Sequence, residues 1–173
     1  HRFPIEDAAT AYEVITGKKK EAFLGVLLTY PEEKKKEERR IVFQKIENRK
    51  LSIVNLGVLG AGNFANAVLL PAIQKAGDIS LVGIASAGGL HAQVAGKKFG
   101  FQYAASDDEE ILNDPNINTV AILTRHDSHA DLVVKALKAG KNVFVEKPLA
   151  INSNQLSVIS NQLLKTNGGL LTV

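Results

Sequence analysis

The sequence of 173 residues contains no cysteine and no methionine. Without cysteine there is no disulfide scaffold, no thiolate metal site and no cysteine nucleophile, a usage that fits a reducing, cytoplasmic compartment. Because the chain opens at His1 and carries no methionine, residue 1 is read as something other than a natural start, and the sequence as a fragment of a longer protein. No basic stretch followed by an apolar run and a small-residue cleavage site opens it, so no export signal is expected. Internal repeats and low-complexity tracts are missing too. Apolar residues at 45% and charged ones at 23% sit near globular averages and exclude wholesale disorder. The length suffices for one domain with a substantial core and a short appendage.

Charge of one sign is also scarce. The first fifty residues hold twelve Lys/Arg and nine Asp/Glu, the remainder nine of each, so the whole excess of +3 comes from the leading segment. Its basic runs alternate with acids or sit near turns, as on a solvated face, and lack the one-signed patch with aromatic or groove-reading elements of a nucleic-acid binder. Residues 51–74 form 24 positions without a charge, long enough to span a bilayer. Asn55, Asn63, Asn66, Pro71 and three glycines interrupt them, which favours a buried strand–turn–helix over a membrane span. Neither nucleic acid nor membrane is an expected partner.

Ile5, Ala8, Ala9, Tyr12 and Ile15 recur at helical spacing before Gly17, and residues 23–30 form a β-type apolar run, so residues 1–31 read as a helix and strand too small to fold alone. They are expected to borrow a surface from a neighbouring domain or from another copy of the chain, which leaves room for a homo-oligomer. Residues 32–50, dominated by charge, read as a helical connector. From residue 51 onward apolar strands alternate with amphipathic helices. Strands are expected at 53–59, 80–85, 102–104, 119–123, 142–145 and 170–173, with helices at 63–75, 90–99, 107–112, 128–139 and 153–164. Gly77, Gly100, Gly140 and Gly168 follow their helices where a left-handed cap is expected, and Ser106 stands at an N-cap position. Repeated strand–helix–strand crossovers give the fold class: an α/β, Rossmann-type, doubly wound parallel sheet with an N-terminal helix–strand appendage.

The sharpest motif is Gly60-Ala61-Gly62-Asn63-Phe64-Ala65, at the end of an uncharged strand and the start of a helix. Gly60 permits the tight strand-to-helix turn, Gly62 removes a Cβ that would collide with a diphosphate, and Ala65 lets helix and strand pack closely. Bared N–H groups and the helix dipole then favour an anion. A dinucleotide, NAD or NADP, is the implied cofactor. Ser86 stands where an acid at the end of the second strand would favour NAD, so the reading leans to NADP, with Lys97 or Lys98 as the cation that would have to reach the 2′-phosphate.

The segment Ala139-Gly140-Lys141-Asn142-Val143-Phe144-Val145-Glu146-Lys147-Pro148-Leu149-Ala150, with the glycine turn, Pro71-Ala72 and His129, resembles the N-terminal domain of the Gfo/Idh/MocA oxidoreductases over about residues 52–173. The resemblance implies NAD(P) binding and hydride transfer at a hydroxyl of a sugar, cyclitol or related polyol. The family's catalytic lysine falls on Lys147, and Asn63, Phe64, Ala65, Thr124, His129 and Glu146 match positions lining the cofactor cleft. Arg125 and His126, beside Thr124, complete the candidate cofactor-binding set. Ser128 or Asp127 is a candidate cap for the following helix, and His129 either lines the pocket or hydrogen-bonds a strand end. On the residues alone, Lys147 ends a parallel strand, where open α/β sheets bind ligands, and precedes Pro148, which confines its backbone to extended conformations. The family's second α/β domain, which supplies further substrate contacts, is expected beyond this sequence, so the piece would bind cofactor and turn over little. Residues His1–Lys18 and Val26-Leu27-Leu28 resemble the C-terminal tail of zinc-type medium-chain alcohol dehydrogenases, although no zinc ligand set stands here: His1, His91, His126 and His129 have no cysteine companions. A non-catalytic dinucleotide-sensing module is the alternative; a methyltransferase-type fold is disfavoured by Glu146-Lys147-Pro148.

Overall fold

The computed structural model describes residues 1–30, 39–43, 54–166 and 171–172, and the chain divides into two compact units, His1–Glu37 and Glu38–Val173. In the first unit, strand β1 (Arg2–Pro4) leads through a 3-10 turn (Ile5–Asp7) into helix α1 (Ala8–Ile15), and strand β2 (Leu27–Thr29) pairs with β1 in parallel, Arg2 opposite Leu27. Ala11 and Val14 of α1 are buried, and the Thr16 hydroxyl donates to the Tyr12 carbonyl at 2.8 Å to close the helix. The apolar run expected as a strand over 23–30 contracts to three paired residues, and β1 escaped the periodicity because three residues carry too little pattern.

The second unit is a seven-stranded sheet of β3 (Arg40–Val42), β4 (Val54–Leu59), β5 (Ile79–Ala85), β6 (Tyr103–Ala105), β7 (Thr119–Ile122), β8 (Asn142–Val145) and β9 (Leu171–Thr172). Their spatial order is β3-β6-β5-β4-β7-β8-β9. The strands from β4 to β9 run parallel; β3 alone is antiparallel, on the edge beside β6. A helical run over residues 63–76, π-helical over Ala65–Leu69 and α-helical as α2 (Leu70–Ala76), connects β4 to β5. Helices α3 (Leu90–Phe99), α4 (Glu109–Leu112), α5 (His126–Lys138) and α6 (Ser153–Lys165) make the remaining crossovers. The sheet is buried on both faces. Val58, Ile84, Val120, Ile122 and Val145 are fully buried, and each such side chain contributes about 1.5–3 kcal/mol over an exposed one.

Residues 40–42 correct the reading of 32–50 as a helical connector. Ile41 and Val42 are β-branched, and β6 would otherwise present a bare edge, so the chain adds a strand there, Ile41 opposite Ala104. The Arg40 guanidinium lies 3.5 Å over the Tyr103 ring and the Phe43 ring fills the space left by Gly96, where a Cβ would meet it at 2.6 Å. Residues 32–38 and 44–50 of that connector, like Gly168 and the outer residues of the expected strands 53–59 and 170–173, lie outside the described residues. Capping also differs: the Asp107 carboxylate, not Ser106, accepts the Glu109 N–H at 3.1 Å. Gly100 is left-handed as expected, whereas Gly77 pairs a positive φ of 69° with an extended ψ of 177°.

Candidate coenzyme site

The register aligns the strand ends. Leu59 pairs with Ala85 on one side and Ile122 on the other, and Ile122 pairs with Val145. The residues that follow therefore form one rim in the order Ser86, Gly60, Leu123-Thr124, Glu146-Lys147, each step about one strand spacing, roughly 4.8 Å. The ladder continues one residue past each strand: Gly60 N–H donates to Ala85 O at 2.8 Å, Leu123 to Leu59 at 2.7 Å and Glu146 to Ile122 at 3.0 Å. Beyond β4 the chain order passes to β5 on one side and to β7 on the other, the switch point where open α/β sheets bind ligands.

Two glycines of the turn answer different demands. Gly60 has φ +103°, and a Cβ there would lie 2.6 Å from the Leu123 carbonyl oxygen and 2.9 Å from the Thr124 nitrogen. Only glycine fits. Gly62 has no atom within 4 Å of a Cβ position; its missing side chain leaves open space over the first turn of the helix, whose N–H groups have no carbonyl four residues earlier to bond. Ala65, 1% exposed, seals the turn from beneath, with Ala61 also buried, while Asn63 and Phe64 are exposed. Asn66, not singled out in the sequence, holds the loop: its Nδ2 donates to the carbonyls of Ala61 at 2.8 Å and Gly62 at 2.9 Å. An asparagine one turn into a helix after a glycine loop was the available signal, since such side chains bond nearby backbone.

Ser86 is half-buried, and its Oγ accepts the Ala92 N–H at 3.0 Å, which caps α3. Its own proton stays available to donate. Lys97 and Lys98 lie in the last turn of α3, roughly 10 Å down the axis from its start. Their ammonium groups sit over the rings of Phe43 and Phe99, at 6.0 and 4.8 Å. Among the described residues neither lysine makes a contact with Ser86, and both stand against aromatic rings instead.

On the other side of Gly60, the Ser128 hydroxyl donates to the Arg125 carbonyl at 2.8 Å and its Oγ accepts from the Thr124 hydroxyl at 2.7 Å, within α5 rather than as its cap. Arg125 and His126 are exposed at the helix start, and Glu146 is half-buried. His129 departs from a pocket-lining role: it is fully buried, with Nδ1 2.9 Å from the Pro148 carbonyl and Nε2 3.1 Å from the Thr124 carbonyl. With both ring nitrogens engaged, it faces main chain and offers none to a coenzyme. Lys147 is exposed at the end of β8 and has no hydrogen bond or ion pair among the described residues.

Elsewhere, a cavity of about 330 Å³ lined by Arg39, Arg40, Asp107, Glu110 and Asp114 flanks β3 and contains none of these residues. Among the described residues no group of three His, Cys, Asp or Glu could hold a metal ion, and no helix is long and apolar enough to cross a membrane.

A doubly wound sheet with an open glycine turn at its switch point defines a Rossmann domain of the dinucleotide-binding class. Residues 54–173 match the profile of the Gfo/Idh/MocA oxidoreductase family, NAD-binding Rossmann fold, and the chain belongs to that family. It is 33% identical over 75 residues to scyllo-inositol 2-dehydrogenase (NAD(+)) of Bacillus subtilis, covering 43% of this chain and 22% of that protein. Among solved structures, the 3-ketoreductase KijD10 of Actinomadura kijaniata, in complex with TDP-benzene and NADP, superposes with a TM-score of 0.63 at 26% identity over 69% of this chain and 37% of its own. A levoglucosan dehydrogenase in complex with NADH gives 0.62 at 28% identity, over 69% of this chain and 34% of its own. The chain spans about a third of the length of the curated relatives it matches.

Proposed function

We propose that residues 54–173 are the coenzyme-binding domain of an oxidoreductase that transfers hydride to or from a hydroxyl-bearing carbon of a sugar, cyclitol or related polyol. The observation that carries the reading is the open space at Gly62 beside a Gly60 pressed against the next strand: a cradle shaped by missing side chains at a helix start. NAD or NADP would supply the hydride chemistry when bound. The chain's own residues would do the rest. The turn Gly60–Ala65 holds the diphosphate through bared N–H groups, with Asn66 fixing the turn's carbonyls. The Ser86 hydroxyl donates to the adenosine ribose. With neither a carboxylate nor a cation in contact with it among the described residues, either coenzyme is accepted. Thr124, Arg125, His126 and Glu146 border the cleft. Lys147 meets the substrate hydroxyl and holds or moves its proton, a role worth about 10²–10⁴ in rate for a positioned acid–base group.

In the complete enzyme a further substrate domain closes over this rim, in a cytoplasmic setting, with a sugar-like small molecule as partner. For residues 1–31, the reading as a remnant of a preceding zinc-type alcohol dehydrogenase module rests on the residue pattern, with 32–50 as its connector. In the complete enzyme, Lys147→Ala should lower turnover of polyol substrates at least 100-fold while NADH affinity stays within about threefold. Retained turnover would reject the catalytic assignment and favour a coenzyme-sensing module.

A further inference from the structure

His129 is the fourth residue of α5, yet its contacts run off the helix in two directions. Thr124, whose carbonyl lies 3.1 Å from Nε2, follows β7; Pro148, whose carbonyl lies 2.9 Å from Nδ1, is the residue after Lys147. Both neighbours are acceptors; a neutral imidazole has one N–H, which donates to one of the two carbonyls while the other ring nitrogen lies in close contact with the second. The same stretch of backbone, Leu123-Thr124, is what Gly60 presses against with no room for a Cβ. An unbroken chain of close contacts thus runs from the glycine turn, through the Leu123-Thr124 main chain and a solvent-free imidazole, to the turn that carries Lys147. The exposed His126 ring is its recorded aromatic neighbour, edge-on at 5.8 Å between centroids.

We infer that His129 is a positioning residue: it ties the Lys147-Pro148 turn to the end of β7 and so fixes where the Lys147 ammonium stands relative to the diphosphate cradle. This rests on the reading of Lys147 given above. Lys147 itself has no side-chain partner among the described residues, and its placement comes from its backbone. A buried ring that touches neither coenzyme nor substrate therefore governs the reacting group one residue away from its acceptor. A small displacement there costs rate rather than binding, since reacting groups tolerate little misplacement.

The test has two readouts. In the 173-residue chain with ¹⁵N-labelled histidine, and His1, His91 and His126 each changed to glutamine, the remaining ring should show an imidazole N–H protected from solvent exchange. A ring whose protons exchange as freely as those of free histidine would overturn the clamp, whatever Lys147 does. In the complete enzyme, His129→Ala should lower kcat at least tenfold with the NADH dissociation constant within twofold. Free imidazole should restore at least a third of the lost rate, and 1-methylimidazole, which lacks one N–H position, should not. Unchanged kcat, or equal rescue by both compounds, would reduce His129 to packing and overturn the inference. A Lys147→Ala enzyme that keeps its turnover would instead sink the catalytic reading and leave the protected ring proton in place, so the two failures are distinguishable.

Discussion

At the N-terminal rim of the sheet the Lys141 ammonium, 7% exposed, donates to the carbonyls of Asp114 and Ile117 at 2.7 Å each. At the C-terminal rim the His129 ring spans the carbonyls of Thr124 and Pro148. Both rims use one buried nitrogen side chain to tie two strand-end segments together, and in both it stands against two backbone oxygens. They differ in what surrounds the tie. Around Lys141 the ammonium is spent on two main-chain carbonyls. Around His129 the neighbouring turn is open at Gly62 and an unpartnered lysine stands exposed. The lesson is that a closed rim stabilises the fold, while the open one spends the same device on holding reactive groups in place.

The largest effect expected from breaking this contrast is at Gly60. Gly60→Ala would force a Cβ into the Leu123 carbonyl at a positive φ, destabilising the second unit by roughly 2–5 kcal/mol. Urea unfolding measures that loss, and NADH binding should fall with it. Next comes the closed rim. Lys141→Met removes the donor of the Ile117 carbonyl and one of the two donors of the Asp114 carbonyl, and should cost about 1–3 kcal/mol in the same assay.

That variant also has a pH signature. Burial holds the Lys141 pKa below the ordinary lysine value, so the folded state binds this proton less tightly than the unfolded chain does. The stability of the native protein relative to Lys141→Met should therefore rise as pH climbs from the folded pKa toward about 10.5, and the neutral amine still has two N–H groups for its two carbonyls. A relative stability that falls over that window would contradict the assignment.

Two smaller effects sharpen the open rim. Gly62→Ala should leave unfolding within about 0.5 kcal/mol, because its Cβ meets nothing, yet weaken NADH about tenfold or more, about 1.4 kcal/mol. Fluorescence titration beside urea unfolding separates the two. Ser86→Ala removes the acceptor of the Ala92 N–H and should lower stability by about 1 kcal/mol, read from the urea midpoint.

Much of the second unit was legible in the sequence because its pattern is strong. Uncharged β-branched strands and a glycine turn between strand and helix left few alternatives over residues 54–145. The antiparallel β3 was not legible: its three paired residues sit in a charged stretch whose local pattern says helix, and only the bare edge of β6, a tertiary feature, selects a strand. At the site, the placement of Gly60, Gly62 and Lys147 at strand ends was legible because the glycine spacing and the strand order fix backbone position. Of the two readings of His129, the structure shows the ring against a strand end; the sequence could not choose between them, since main-chain oxygens carry no residue-type signal. Lys97 and Lys98 show the opposite error, for a count along the chain brought them near Ser86 and the helix axis carries them away. Asn66 lay within view but needed the loop's geometry to be recognised.

The account stands on the glycine turn gripping a dinucleotide. Isothermal titration of this 173-residue chain with NADH and with NADPH measures that grip without any need for turnover. The expected result is saturable heat at one site per chain for each coenzyme, with affinities within about tenfold of one another and both weakened in Gly62→Ala. No heat from either, or heat that Gly62→Ala leaves untouched, would contradict it.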